Sequence, residues 1–171
     1  LCFAGDSRMS ILKVDTINEK TSGNGVAIPG HVVQVAHNSQ DGTIVTTSSS
    51  YSLGIACAIT PKFATSKLKV MVLGGRNYYN SVAQHDLKLY VDGSAYSGSG
   101  RLTSIYNNNT SSNSIHYGSW SILEYVDAGS TSARTYQLYH KNASGTGANV
   151  WLNNSSTGDI FLHMIIEEVA Q

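Results

Sequence analysis

Lys67–Leu73 (KLKVMVL) and His85–Val91 (HDLKLYV) decide the fold of this 171-residue chain. In the first, Leu68, Val70 and Val72 alternate with Lys67, Lys69 and Met71. In the second, Leu87, Leu89 and Val91 mark one side. Side chains alternate across a strand, so period two means two strands, each with one face turned toward a core. Asp92-Gly93 closes the second strand with a turn pair. Working outward, the same texture predicts strands at His31–Ala36, Thr43–Thr47, Leu53–Thr60, Arg101–Tyr106, Ser114–Val126, Ala133–Lys141, Val150–Asn153 and Ile160–Val169. Pro61 stops the third of the predicted strands, because proline cannot donate to a ladder. Gly118 offers a break in the long strand from Ser114. No stretch from 31 to 171 carries an i, i+3, i+4 apolar stripe. Many short strands parted by polar turns predict an all-β antiparallel sandwich of jelly-roll type. The last strand has two apolar sides, Ile160, Leu162, Met164 and Ile166 against Phe161, Ile165 and Val169. One side suits the sandwich core. The other asks for a second cover.

Composition supports strands and narrows the function. Charged residues are 13% of the chain, about half the share in an average soluble domain. The 24 Ser, 13 Thr, 13 Asn and 16 Gly take their place. Net charge is zero and the pI is about 7.2, so no basic stripe invites nucleic acid. No apolar run approaches the roughly 20 residues of a membrane-crossing helix, and no nucleic-acid or membrane partner is expected. The N-terminal segment LCFAGDSR lacks the pattern of a secretory signal, and Met9-Ser10 reads as a natural start. Of the two cysteines, Cys2 lies at the N terminus and Cys57 in an apolar run. Both are expected as free thiols, Cys57 as a small buried residue. Residues 1–30, punctuated by Gly23-Asn24-Gly25 and Pro29-Gly30, hold too few apolar side chains to fold alone and read as an arm before a domain at 31–171.

Chemistry-bearing residues are sparse. The six histidines (31, 37, 85, 116, 140 and 163) show no metal-ligand spacing, so no metal and no cofactor is expected. Asp92, Asp127 and Asp159 stand beside glycines as turn formers. Glu124 with Asp86 is the one carboxylate pair left open for glycoside cleavage. No nucleophile elbow and no phosphate loop occurs, and no catalytic residue is assigned. Tyrosine is more telling, with 10 copies against 3 Phe. Rings stack on the apolar faces of sugars and amides bond their hydroxyls. Tyr78, Tyr79, Tyr96, Tyr106, Asn108 and Trp120 are therefore the candidate glycan or receptor contacts, on loops near 76–81, 94–100 and 107–113. Core packing competes for each of these rings.

Residues 10–25 (SILKVDTINEKTSGNG) resemble an N-terminal signature of fibre and spike proteins of tailed bacteriophages, roughly S-x-L-K-V-D-T-I followed by S-G-x-G. The closing run Gly158–Gln171 (GDIFLHMIIEEVAQ) is similar to the terminal strand of their distal domains. The resemblance covers both ends, and the middle only by texture. It implies a virion protein assembled in the host cytoplasm. Residues 10–30 would dock on other virion proteins through Leu12, Val14 and Ile17. The sandwich would form a homotrimer, with Phe161, Ile165 and Val169 as candidate interface, and would attach without enzymatic activity to host-surface glycan. A head fibre or decoration protein of purely structural role is the alternative, and a glycan-cleaving enzyme is a third reading.

Overall fold

The computed structural model describes residues 28–79, 83–96, 103–107, 116–153 and 161–171, with 16, 18 and 26, and leaves out the side chains of 75–79, 103–107 and 116–119. These residues form eleven strands and no helix: β1 (Val32–Gln40), β2 (Ile44–Thr46), β3 (Ser52–Ile59), β4 (Lys67–Tyr79), β5 (Ala83–Val91), β6 (Ser94–Ala95), β7 (Thr103–Asn107), β8 (His116–Asp127), β9 (Arg134–Asn142), β10 (Val150–Asn153) and β11 (Leu162–Val169). Every pairing is antiparallel.

Two sheets result. In the first, β4 is the central rail. β8 runs along its whole length on one edge, from Lys67↔Asp127 to Tyr79↔His116. On the other edge β11 covers Lys67 to Gly74 and β10 covers Tyr78 and Tyr79. β1 then pairs with β11, and β2 with β10. In the second sheet β9 lies between β3 and β5, and β7 and β6 share the far edge of β5. The chain passes repeatedly from one sheet to the other, so most neighbours in space are distant in sequence.

Alternation fixes what lies between the sheets. Leu68, Val70 and Val72 of β4, Leu162, Met164 and Ile166 of β11, and Trp120, Ile122 and Val126 of β8 face Ile55, Cys57 and Ile59 of β3, Leu87 and Leu89 of β5, and Tyr136 and Leu138 of β9. They form one cluster, the expected core of an all-β sandwich. Cys57 is buried as a free thiol, and burial pushes it above its ordinary pKa. Cys2 lies outside the described residues. β3 stops before Pro61, and Asp92-Gly93 makes its turn with both φ angles positive, at 51° and 78°.

Some boundaries differ from the sequence reading. β4 continues through Gly74-Gly75 to Tyr79, so 76–79 of the predicted contact loop 76–81 is strand. β8 runs unbroken through Gly118. Ser94–Ala95 is a two-residue strand within a predicted loop. Residues 28–31 are tied to the C terminus, where Gly30 N–H donates to the Ala170 carbonyl at 2.8 Å and Ala170 N–H to that of His31 at 3.0 Å.

Candidate assembly face

The face of the first sheet turned away from the core is built by the same alternation that builds the core. Register places its residues in rows across β1, β11, β4 and β8. One row is Ser39, His163, Leu73 and Ser121. The next is His37, Ile165, Met71 and Leu123. The third is Val35, Glu167, Lys69 and Tyr125. The last runs from Val169 through Lys67 to Asp127. Phe161 precedes β11 on the same side. Leu123 is 54% exposed, Tyr125 55% and Phe161 43%, and Val35 and Leu73 are exposed too. Single exposed apolar residues are ordinary, whereas a continuous patch marks a surface that meets something.

The charges on this face are paired within the chain. Lys69 Nζ donates to Glu167 Oε2 at 3.0 Å across β4 and β11, and this hydrogen bond raises the lysine's pKa. Lys67 pairs with Asp127 across β4 and β8. The described charges here cancel, so covering the face strands no ion of either sign. At its other end His37 Nε2 and His163 Nδ1 lie 3.1 Å apart in a hydrogen bond. The Phe161 ring is 6.0 Å from that of His163. The structure thus puts the predicted interface residues Phe161, Ile165 and Val169 together on one outward face, and adds Met71, Leu73, Leu123 and Tyr125 from β4 and β8. Alternation alone sets Met71 and Leu73 opposite the core, whereas Leu123 and Tyr125 join them only through the pairing of β4 with β8.

The predicted sugar contacts fare differently. Trp120 is corrected: it is only 9% exposed and belongs to the core cluster, because it shares strand parity with Ile122 and Val126. That parity was visible in the sequence. Tyr96 is half-buried and packs against the core. Tyr78, Tyr79 and Tyr106 are strand residues whose side chains lie outside the described set. Asn108, Leu12, Val14 and Ile17 lie outside the described residues. Asp86 and Glu124 are not brought together: Asp86 alternates with core-facing His85 and Leu87 and so projects from the far side of the second sheet, whereas Glu124 is on β8 of the first.

The rings that do gather on an outward surface are others, on the second sheet. Tyr90 of β5 lies 4.2 Å from Tyr139 of β9, centroid to centroid, and 6.2 Å from Tyr51 just before β3. Lys141 Nζ sits 4.7 Å from the centre of the Tyr51 ring, within cation–π range. All three rings are half-buried. Their signal was the parity opposite to the core: Tyr90 with Lys88, and Tyr139 with Gln137 and Lys141. None of the described residues lining an open depression of about 500 Å³, Gln34, Thr60, Pro61, Lys62 and Thr131, is aromatic. Among the described residues no group of three or more His, Cys, Asp or Glu could hold a metal. Neither the known protein-family models nor the curated proteins contain a match to this chain.

Proposed function

We propose that the chain is a non-enzymatic virion protein of a tailed bacteriophage, a fibre or spike that trimerises through the outward face of its first sheet and attaches to host-surface glycan. The observation that carries this reading is the charge-balanced face on β1, β4, β8 and β11, which exposes Val35, Leu73, Leu123 and Tyr125 with Phe161 beside them. Burying it in a monomer would need a further layer, and sister copies supply one. The arm signature at residues 10–25 supports the virion assignment, with residues 10–30 docking on the particle. The strand orders β1-β11-β4-β8 and β3-β9-β5-β7, with the chain crossing between sheets, support a jelly-roll topology. The separation of Asp86 from Glu124 supports a binding role over glycan cleavage.

Sedimentation equilibrium of the full chain tests the assembly. The wild type is expected as a trimer. Leu123→Asp, on an exposed position that costs the monomer little, is expected to sediment as a monomer with unchanged far-ultraviolet circular dichroism. A wild type that stays monomeric at high micromolar concentration overturns the reading. Antibody labelling of intact particles then separates tail fibre from head fibre or decoration protein.

A further inference from the structure

We propose that the outward face of the second sheet, centred on Tyr51, Tyr90 and Tyr139, is the oligosaccharide-binding surface of this protein, with Lys88 and Lys141 placed for an acidic substituent on the sugar. The proposal rests on the attachment reading above and moves the contact from the loops to a sheet.

The geometry favours a sugar in three ways. First, the rings form a continuous series. Tyr51 meets Tyr90 at 6.2 Å with an interplanar angle of 61°, and Tyr90 meets Tyr139 at 4.2 Å and 35°. A stepped row of rings offers several stacking planes, which suits the successive residues of a chain of sugars better than one flat ligand. Second, Tyr90 and Tyr139 stand on paired strands and Tyr51 adjoins a third, so the rings are held before any ligand arrives and little ordering is lost on binding. Third, hydrogen-bonding groups border the rings in register: Lys88 pairs with Tyr139, Gln137 with Tyr90, and Lys141 with Asp86. Phenol hydroxyls, an amide and ammonium groups together match a polyhydroxylated ligand.

The charge on this face points to an acidic sugar. The Asp86 carboxylate is buried, at 1% exposure, and accepts from Gln84 Nε2 at 3.1 Å. Asp92 sits at the end of the face in the β5–β6 turn, where its Oδ1 accepts the Thr135 N–H at 2.8 Å. Beside the rings, the half-exposed charged side chains of β5 and β9 are Lys88 and Lys141. Lys141 already lies over the Tyr51 ring at one end of the series, so an acidic group on a sugar stacked on Tyr90 or Tyr139 would meet it without a large rearrangement. A trimer closed through the first sheet leaves this second sheet on its periphery, where several copies act at once.

The test is biolayer interferometry of the full chain over immobilised alginate, an acidic polysaccharide, and over dextran, a neutral one. The expected result is binding to alginate that weakens by about tenfold or more in the Tyr90→Ala/Tyr139→Ala double variant. Tyr139→Phe, which keeps the ring, is expected to stay within about threefold of the wild type. Lys88→Gln/Lys141→Gln is expected to remove the preference for alginate over dextran. Absence of binding to both polysaccharides overturns the proposal. So does unchanged binding in a double alanine variant whose melting temperature shows it folded. In that second case attachment survives with another contact surface. A monomeric wild type in sedimentation would instead strike the assembly reading, so the two failures are told apart.

Discussion

Three buried polar residues show how single groups hold this fold and tie it to pH. Glu168 is fully buried at the edge of the core. Burial alone would raise its pKa, yet the backbone N–H groups of Lys62 and Phe63, at 2.9–3.0 Å, and Gln34 Nε2, at 2.6 Å, donate to the carboxylate and hold it below its ordinary value. Its stability contribution is present above pH 4.5 and is lost as pH falls through the lowered value. Glu168→Gln trades an acceptor oxygen for an amide that faces donors, and should cost about 2–3 kcal/mol in urea unfolding at neutral pH. His85 and His140 form a second such device. Their nitrogens share a hydrogen bond of 3.1 Å inside the sandwich, at 0% and 1% exposure. Burial, then the neighbouring His140, pushes His85 down to about 3, and burial pushes His140 to about 4. The unfolded chain binds these protons near pH 6.5 and the folded one does not. Stability is therefore full above pH 6.5 and declines by up to about 1.4 kcal/mol per pH unit for each histidine below it. The double variant His85→Leu/His140→Leu should flatten the urea midpoint between about pH 6.5 and pH 4.5, where Glu168 is still ionised. An equally steep variant would place the proton uptake elsewhere.

At the scale of the strand, two glycines set where ladders bend. Gly74 has φ +85°, and a Cβ there would press on the carbonyl oxygen of Phe161. The β4–β8 register shifts between Gly74 and Asn77. Gly54 sits where the β3–β9 register shifts between Leu53 and Ile55, and a Cβ there would collide with Leu152 and crowd the Leu138 carbonyl oxygen at 3.2 Å. Gly74→Ala meets both strain and backbone, and should lower unfolding free energy by about 2 kcal/mol or more. Gly54→Ala should cost about 1–3 kcal/mol, since the Leu152 end can shift at some loss of packing. These bulges also explain what the sequence concealed. KLKVMVL and HDLKLYV announce their strands because each alternates around a core face. GGRNYY does not, because paired glycines read as a turn when they in fact carry a bulge through which β4 continues. Trp120 is legible as core from its parity with Ile122 and Val126, although Ser119 and Ser121 flank it. Parity gives the outward side of Tyr90 and Tyr139, but their meeting in a row, like that of both histidine pairs, joins strands far apart in sequence that only the sheet order brings together.

For the whole molecule, the proposed assembly and attachment would fall on two separate outward faces. The first sheet exposes Val35, Leu73, Leu123 and Tyr125 beside lysines already matched to Glu167 and Asp127 within the same chain. The second offers rings with outward lysines. A surface whose charges are satisfied internally gains little from opposite charges on a sister copy, so the proposed association would rest on apolar burial, which is indifferent to ionic screening at moderate salt. The trimer constant from sedimentation should accordingly change by less than about threefold between about 0.05 M and 0.5 M sodium chloride. Binding of alginate to the second sheet should fall steeply over the same range, because Lys88 and Lys141 there meet a ligand of opposite charge through water. A salt-insensitive assembly beside salt-sensitive ligand binding in one sample is the signature of two separate faces. A trimer that dissociates with added salt in step with loss of alginate would mean that both events use the same lysines, and that the first sheet does not close the assembly.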